Sequence, residues 1–500
     1  MITKRSKWSY AIGCTGRDMC YTLVSMFLLI YIQYTNLVNK EQFLVLSAII
    51  VLCRVWDAVN DPMMGTIISN TKTRFGKYRP WVLIGAITNA VAMVLMFTLR
   101  ADTANANAGW INVGIVGGLY FLWGMTFTMN DVSYWSLLPR LSEDKEDRDK
   151  LTTMVAIFAS VGAFTAGGLV PMMTTGNELN GYKMFAIIFA GVFLLCQLLV
   201  FFFTHDNKQD KFMLSKDEFD VEPKEKNITI KDMVKILIRN KQLLVMAIIV
   251  LFYTTASGFL TAFGQNYFYF KFGYDGNLVF IFTVIYALGT IGSQFIFPIL
   301  TKKFNRAQIV KVSLFVAMIG YALFFIISNI PMNPDLCFPL LCAFGVLVFG
   351  GQGVFYMAML IMLTNTIEYD EWKTGERNDA VTFSVRPFMV KLSGAIQYGI
   401  VSLSLVVCGL YSITEQISDI KLQVNQGIID AAEETNKIAD LLKTATSGQM
   451  LGLSLAMTIV PIILLLASYI IIKKKYIIDE KLYDQMVAEI QARKEVKDNE

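Results

Sequence analysis

The chain has 500 residues, 55% of them hydrophobic and 17% charged, with a net charge of +4. Soluble proteins carry about 25% charged residues, so the composition excludes an ordinary soluble domain. The apolar stretches recur along the whole chain, and nucleic acid is not an expected partner.

Taken in order, the apolar runs predict an all-α membrane protein with helices at 9–35, 41–69, 80–100, 109–139, 151–175, 182–204, 240–269, 276–301, 307–328, 335–366, 379–411 and 449–473. Each reaches or exceeds the roughly 20 residues that span a bilayer. Lys4, Arg5 and Lys7 precede the first run without a small-residue cleavage site, so no cleavable signal peptide is expected. A polar linker at 205–239 separates two six-helix halves, 1–204 and 240–474. Its end, from Ile228 to Arg239, alternates apolar and basic residues as an amphipathic surface helix would. Basic residues cluster in alternate loops, at Lys72 to Arg79, Arg140 to Lys150, Lys302 to Arg306, Lys373 with Arg377, and Lys473 to Lys475. The positive-inside bias then places both termini, the linker and the tail 475–500 in the cytoplasm of a multi-pass protein of the cell membrane. The segment 412–447 is too polar to span. Its isoleucines recur near helical spacing, which predicts one or two amphipathic helices on the outer face.

Charges inside the apolar runs mark candidate sites. A charged side chain at mid-membrane costs about 3 kcal/mol on insertion scales. The second helix nevertheless holds Arg54, Asp57 and Asp61, with Asn60 beside them. Residues four apart share a helix face, so Asp57 and Asp61 form a stacked carboxylate pair suited to a monovalent cation or a proton. Neutral oxygens at Asn60 and Thr128 favour Na⁺ over H⁺, with Li⁺ also admissible. The first helix carries Arg17 and Asp18. The fourth carries Thr128, Asp131 and Trp135 on one face, and the eleventh carries Arg386 and Lys391. A carboxylate beside an indole suits a sugar, because the acid accepts hydroxyl hydrogen bonds and the ring packs on the sugar's C–H face. The competing reading is that these charges are structural pairs, Arg17 with Asp18 or Arg54 with Asp57. Lys391, a base able to exchange between a carboxylate and solvent, suits a coupling element. Pro62 and Gly65 allow the second helix to bend. The seven cysteines lack metal-ligand spacing and read as core residues. No cofactor is expected.

At these residues the chain resembles a known family. Trp56-Asp-Ala-Val-Asn-Asp-Pro-Met-Met-Gly65, Arg74-Phe-Gly-Lys-Tyr-Arg-Pro-Trp81, Asp131-Val-Ser-Tyr-Trp-Ser-Leu-Leu-Pro139 and Ile367-Glu-Tyr-Asp-Glu-Trp-Lys-Thr-Gly-Glu376 are similar to the signatures of the glycoside–pentoside–hexuronide:cation symporters. The resemblance implies the major facilitator fold. It implies a cation site at Asp57 and Asp61 with Asn60 and Thr128, a sugar site at Asp18, Asp131 and Trp135, and coupling through Lys391. Arg17 stands where the family's melibiose permease has a lysine. That permease's sugar-contacting arginine on the fifth helix is replaced here, at the matching position, by Ala156. Arg386 stands where the permease has an uncharged residue, an exchange that suits a carboxylate-bearing sugar such as a hexuronide.

The expected function is therefore cation-coupled symport of a sugar by a monomer through alternating access. Cation binding at Asp57 and Asp61 is expected to precede and organise sugar binding. Two alternatives differ in substrate or class: a lysolipid carrier on the same fold, which an apolar lateral opening between helices would support, and a transport-derived sensor. No nucleophile–base pair, metal cluster or phosphate loop supports an enzyme.

Overall fold

The computed structural model describes residues 3–71, 73, 75–102, 105–141, 145–204, 235, 237–375, 379–425 and 428–498, and every regular element among them is helical. Most of the expected linker helix at 228–239 and parts of the basic loops at 72–79 and 140–150 lie outside the described residues. In chain order the helices are α1 (Lys4–Tyr34), α2 (Lys40–Ser69), α3 (Arg79–Thr98), α4 (Ala108–Leu141), α5 (Lys145–Thr174) and α6 (Glu178–Phe203). There follow α7 (Lys241–Phe272), α8 (Gly276–Thr301), α9 (Arg306–Asn329), α10 (Pro334–Thr374) and α11 (Asp379–Val407). Two shorter helices, α12 (Leu410–Asn425) and α13 (Ala431–Lys443), occupy the polar segment. The chain ends with α14 (Ser447–Lys475), which contains a π-helical turn at Leu455–Ile459, and α15 (Glu480–Asp498).

Ten helices are long and apolar enough to cross a membrane, and α2 makes an eleventh if its two bent parts are one span. The twelve spans read from the sequence include α1, which has 31 residues but carries Arg17 and Asp18 and falls outside that set. The bend in α2, 40°, lies between Asp57 and Val59. Pro62 has no N–H to give to the carbonyl of Ala58, four residues earlier, so the helix loses a hydrogen bond at the break.

Packing divides the chain into two compact units. The first is Met1–Asn227 with Gly273–Phe280 and Gly409–Thr444; the second is Ile228–Phe272, Ile281–Cys408 and Ala445–Glu500. In the first unit α1 packs on α5 and α6, and α4 on α2 and α3. Close helix approach follows from missing side chains, the usual device where lipid supplies no hydrophobic drive. A Cβ on Gly162 of α5 would lie 2.3 Å from the Thr15 carbonyl of α1. Buried amides cross-brace the same bundle: Asn130 Nδ2 donates to Val82 O (2.7 Å) and Gln197 Nε2 to Gly13 O (2.7 Å). In the second unit α9 packs on α10, α7 on α11 and α14, and α15 on α10. Trp372 Nε1 donates to Glu489 of α15 at 2.6 Å, and the Arg306 N–H to Glu480 at 2.6 Å.

The polar segment packs with the first unit, although its chain neighbours α11 and α14 belong to the second. Tyr411 Oη donates to Val38 O (2.8 Å), Ser418 Oγ to Gln33 O (3.1 Å) and Asn36 Nδ2 to Asp419 (2.7 Å). The Lys421 ammonium, 9% exposed, pairs with Glu178, 3% exposed, and donates to Tyr274 Oη at 2.8 Å. Arg100 donates to Thr35 O at 3.1 Å. The α1–α2 connection and the start of α6 thus meet α12, and Arg100 of the α3–α4 connection joins them through Thr35.

Candidate functional site

Four positions on α4 build the site from one face of one helix. Gly124, Thr128, Asp131 and Trp135 are spaced by four, three and four residues, which stacks them on a single stripe. The absence of a side chain at Gly124 leaves room for the carboxylate of Asp57: a Cβ there would stand 2.4 Å from Asp57 Oδ1. One turn on, Thr128 Oγ1 donates to Asp61 Oδ1 at 3.2 Å. The two carboxylates of α2 therefore both face α4, on the two sides of the α2 bend. Asn60 between them is 2% exposed, and its Nδ2 has no partner among the described residues. No group of three or more His, Cys, Asp or Glu side chains gathers as for a metal ion among the described residues. The arrangement offers two carboxylates and neutral oxygens instead, a donor set whose chemistry fits a hard monovalent ion.

The next turn of α4 reaches the second cluster. Arg17, with its side chain 5% exposed, bridges two acids: Nη2 lies 3.0 Å from Asp18 Oδ2 and Nη1 2.9 Å from Asp131 Oδ1. Its guanidinium also lies over the rings of Tyr134 (4.9 Å) and Trp135 (5.2 Å). Trp135 Nε1 donates to Asp131 Oδ1 at 3.1 Å, while 40% of the residue remains exposed. Cys14 Sγ donates to Asp18 Oδ2 at 3.1 Å. Each acid is thus held through one oxygen. The other two, Asp18 Oδ1 and Asp131 Oδ2, accept no hydrogen bond from a described residue. Two anchored carboxylates with a free oxygen each, beside an exposed indole, can accept paired hydroxyls and offer an apolar face.

The structural pairing weighed for Arg17 and Asp18 is present, and it extends to Asp131. Two acids share one guanidinium, which leaves one oxygen of each as an acceptor. Tyr134 supports it from behind: fully buried, it stacks on Tyr10 at 4.4 Å within a core that includes Cys14, Leu137 and Val200. Arg54 Nη2 donates to Ser25 O of α1 at 3.2 Å, a partner absent from the sequence reading. Ala156 is exposed on α5.

The remaining candidates sit in the second unit. Arg386 of α11 is half-buried, donates to Tyr356 Oη of α10 and lies 5.5 Å from that ring's centre. Lys391 is half-buried, five residues further along α11. Sequence reasoning missed Gly124 and Tyr356. A glycine carries no charge to flag it, and Tyr356 is one of 21 tyrosines in the chain.

Comparison with known proteins agrees with this architecture. A family described as MFS/sugar transport protein matches residues 9–480. The lactose permease of Lactobacillus delbrueckii subsp. bulgaricus is 26% identical over 98% of this chain and 72% of its own length. That of Leuconostoc lactis is 30% identical over 80% of this chain and 62% of its own. The isoprimeverose transporter of Lactiplantibacillus pentosus is 23% identical over 82% and 81%. Among solved structures, a bacterial homologue of the human lysosomal transporter Spinster superposes with TM-score 0.63 at 12% identity, over 94% of this chain and 98% of that one. A D-xylose–proton symporter superposes with TM-score 0.58 at 10% identity, over 95% and 98%. These likenesses give the major facilitator fold, and the match over residues 9–480 makes this chain a member of the MFS/sugar transport family, a multi-pass membrane transporter and not an enzyme.

Proposed function

We propose that the chain is a cation-coupled glycoside symporter in which Asp57 and Asp61, with Asn60 and Thr128, take the cation, and Asp18, Asp131 and Trp135, braced by Arg17, take the sugar. The observation that carries the reading is the α4 stripe. Thr128, bonded to Asp61, and Asp131, ion-paired with Arg17, are three residues apart on one helix, a rise of about 4.5 Å. Charge neutralisation at the first pair is then transmitted to the second cluster through a rigid element with no loop between them. Relatives described as lactose permeases and as a putative glycoside/cation symporter support a glycoside as cargo. Neutral oxygen ligands favour Na⁺.

Twelve spans, with α1 counted among them, and cytoplasmic termini complete the reading, supported by the alternate basic loops. Each chain carries a complete site and works as a monomer. Arg54 and Lys391 serve coupling, and Arg386 serves substrate choice. Only the empty and doubly loaded carriers reorient readily, because moving an unneutralised carboxylate pair through a low-dielectric barrier is costly.

The test is sugar-driven cation uptake in proteoliposomes, screening galactosides, glucosides, xylosides and uronates against Na⁺, Li⁺ and a pH step. A sugar that drives cation inward in the parent and fails to do so in Asp61→Asn supports the reading. Undiminished coupling in Asp61→Asn rejects the assigned cation site.

A further inference from the structure

In the second unit, α8, α9 and α10 enclose an apolar groove of about 350 Å³ that shares no residue with the candidate site. It runs along α8 from Leu288 to Leu300 and ends at Phe304. Twelve residues of helix rise about 18 Å, close to the roughly 15 Å of one leaflet in a hydrocarbon core about 30 Å thick. Leu288 (62%), Ile296 (51%) and Val312 (60%) are exposed along it.

The few polar groups in the lining are engaged locally. Ser293 Oγ donates to Thr290 O at 2.6 Å and Ser313 Oγ to Val310 O at 3.2 Å. Gln308 Oε1 accepts from the Asn305 N–H at 3.2 Å as part of the α9 cap. A sugar entering this groove would lose water and gain no matching acceptors, whereas an acyl chain loses nothing. The floor is open at two glycines: a Cβ on Gly292 or Gly350 meets no heavy atom within 4 Å.

Charge stands at the Phe304 mouth. Lys302 and Lys303 are exposed in the α8–α9 turn, between the lining residues Leu300 and Phe304. Neither ammonium has a partner among the described residues. Glu480, which also reaches this turn, is bonded to the Arg306 N–H. The positive-inside bias assigns this turn to the cytoplasmic side, where anionic lipid heads draw basic residues.

We propose that this groove holds one acyl chain of an anionic glycerophospholipid, with the headgroup phosphate at Lys302 and Lys303. The occupant is a bound lipid of the inner leaflet and not the transported cargo.

Native mass spectrometry of the purified full chain, titrated separately with phosphatidylglycerol and phosphatidylcholine of identical chains, tests this. The parent should retain phosphatidylglycerol preferentially, and Lys302→Gln/Lys303→Gln should reduce that preference. Polybasic attraction near a membrane surface implies about fivefold per lysine. Gly350→Leu, with Gly292→Leu as a second filling variant, should reduce retention of both lipids, and the open space at these positions lets both variants fold. Equal retention of the two headgroups by the parent overturns the proposal. So does parent-like retention in both filling variants. A dimer abolished by filling, with no lipid adduct in the parent, would make the occupant a second copy and also overturn it.

Discussion

Gly124→Ala tests the packing of the cation pair against α4 without touching a proposed ligand. The added Cβ would stand 2.4 Å from Asp57 Oδ1, and ordinary contact begins near 3.4 Å. The carboxylate must therefore retreat by about 1 Å. Catalytic and binding constellations tolerate roughly 0.5 Å, and disturbing the groups that orient a metal's ligands typically costs about 10–100-fold in affinity. The expected outcome is a cation concentration for half-maximal uptake raised about 10–100-fold. Equilibrium sugar binding at saturating cation should stay near the parent's. Proteoliposome uptake across a cation titration, beside sugar binding to the purified protein, separates the two. Gly118→Ala is the control: it lies on the same helix, and its Cβ would meet nothing within 4 Å. A Gly124→Ala protein whose cation dependence falls within twofold of the parent's would refute the argument that this contact sets the position of Asp57.

Removing the shared guanidinium with Arg17→Gln leaves two acids side by side in a largely buried position. Breaking such a pair costs about 3–5 kcal/mol, so the thermal midpoint of the purified protein should fall and sugar binding should be lost; Arg17→Lys, which keeps the charge, should recover part of both. Glu178→Gln should loosen α12 and α13 by leaving the buried Lys421 ammonium without its carboxylate partner, read as faster amide exchange confined to residues 410–443. The same segment should respond to pH. Burial raises the pKa values of Glu415, Asp419 and Glu434 above their ordinary values of 4.5, 3.8 and 4.5. The docked state therefore binds protons more tightly than the undocked one, and docking strengthens as pH falls from 7 through the raised values towards the ordinary ones. Lys421 is shifted down by burial and acts oppositely, favouring docking as pH rises towards 10.5, so the acids govern the window below neutrality. Protection factors, corrected for intrinsic exchange, should rise between pH 7 and about pH 5; a fall over that interval would contradict the assignment.

The sequence by itself determined the membrane class, the order of the long apolar helices and the identity of the charged candidates, but not the tail helix α15. Those features rest on local physics. A 20-residue apolar run has few alternatives to a spanning helix, and a carboxylate within such a run stands out because its insertion is costly. Helical periodicity also put Asp57 with Asp61, and Thr128 with Asp131 and Trp135, on common faces. Only the tertiary structure decided what each face meets. Arg17 is a neighbour of Asp18 in sequence, yet its ion pair with Asp131 depends on how α1 lies against α4. The value of Gly124 lies in an absent side chain, visible only once Asp57 is seen beside it. The polar segment at 412–447 reads as a pair of amphipathic helices from its isoleucine spacing. Its packing with the first unit, although the chain enters and leaves it from the second, is set by Tyr411, Ser418 and Lys421 meeting the α1–α2 and α5–α6 connections. Periodicity reports which side of a helix is apolar or charged; the partner across that side is a long-range contact that no local window contains.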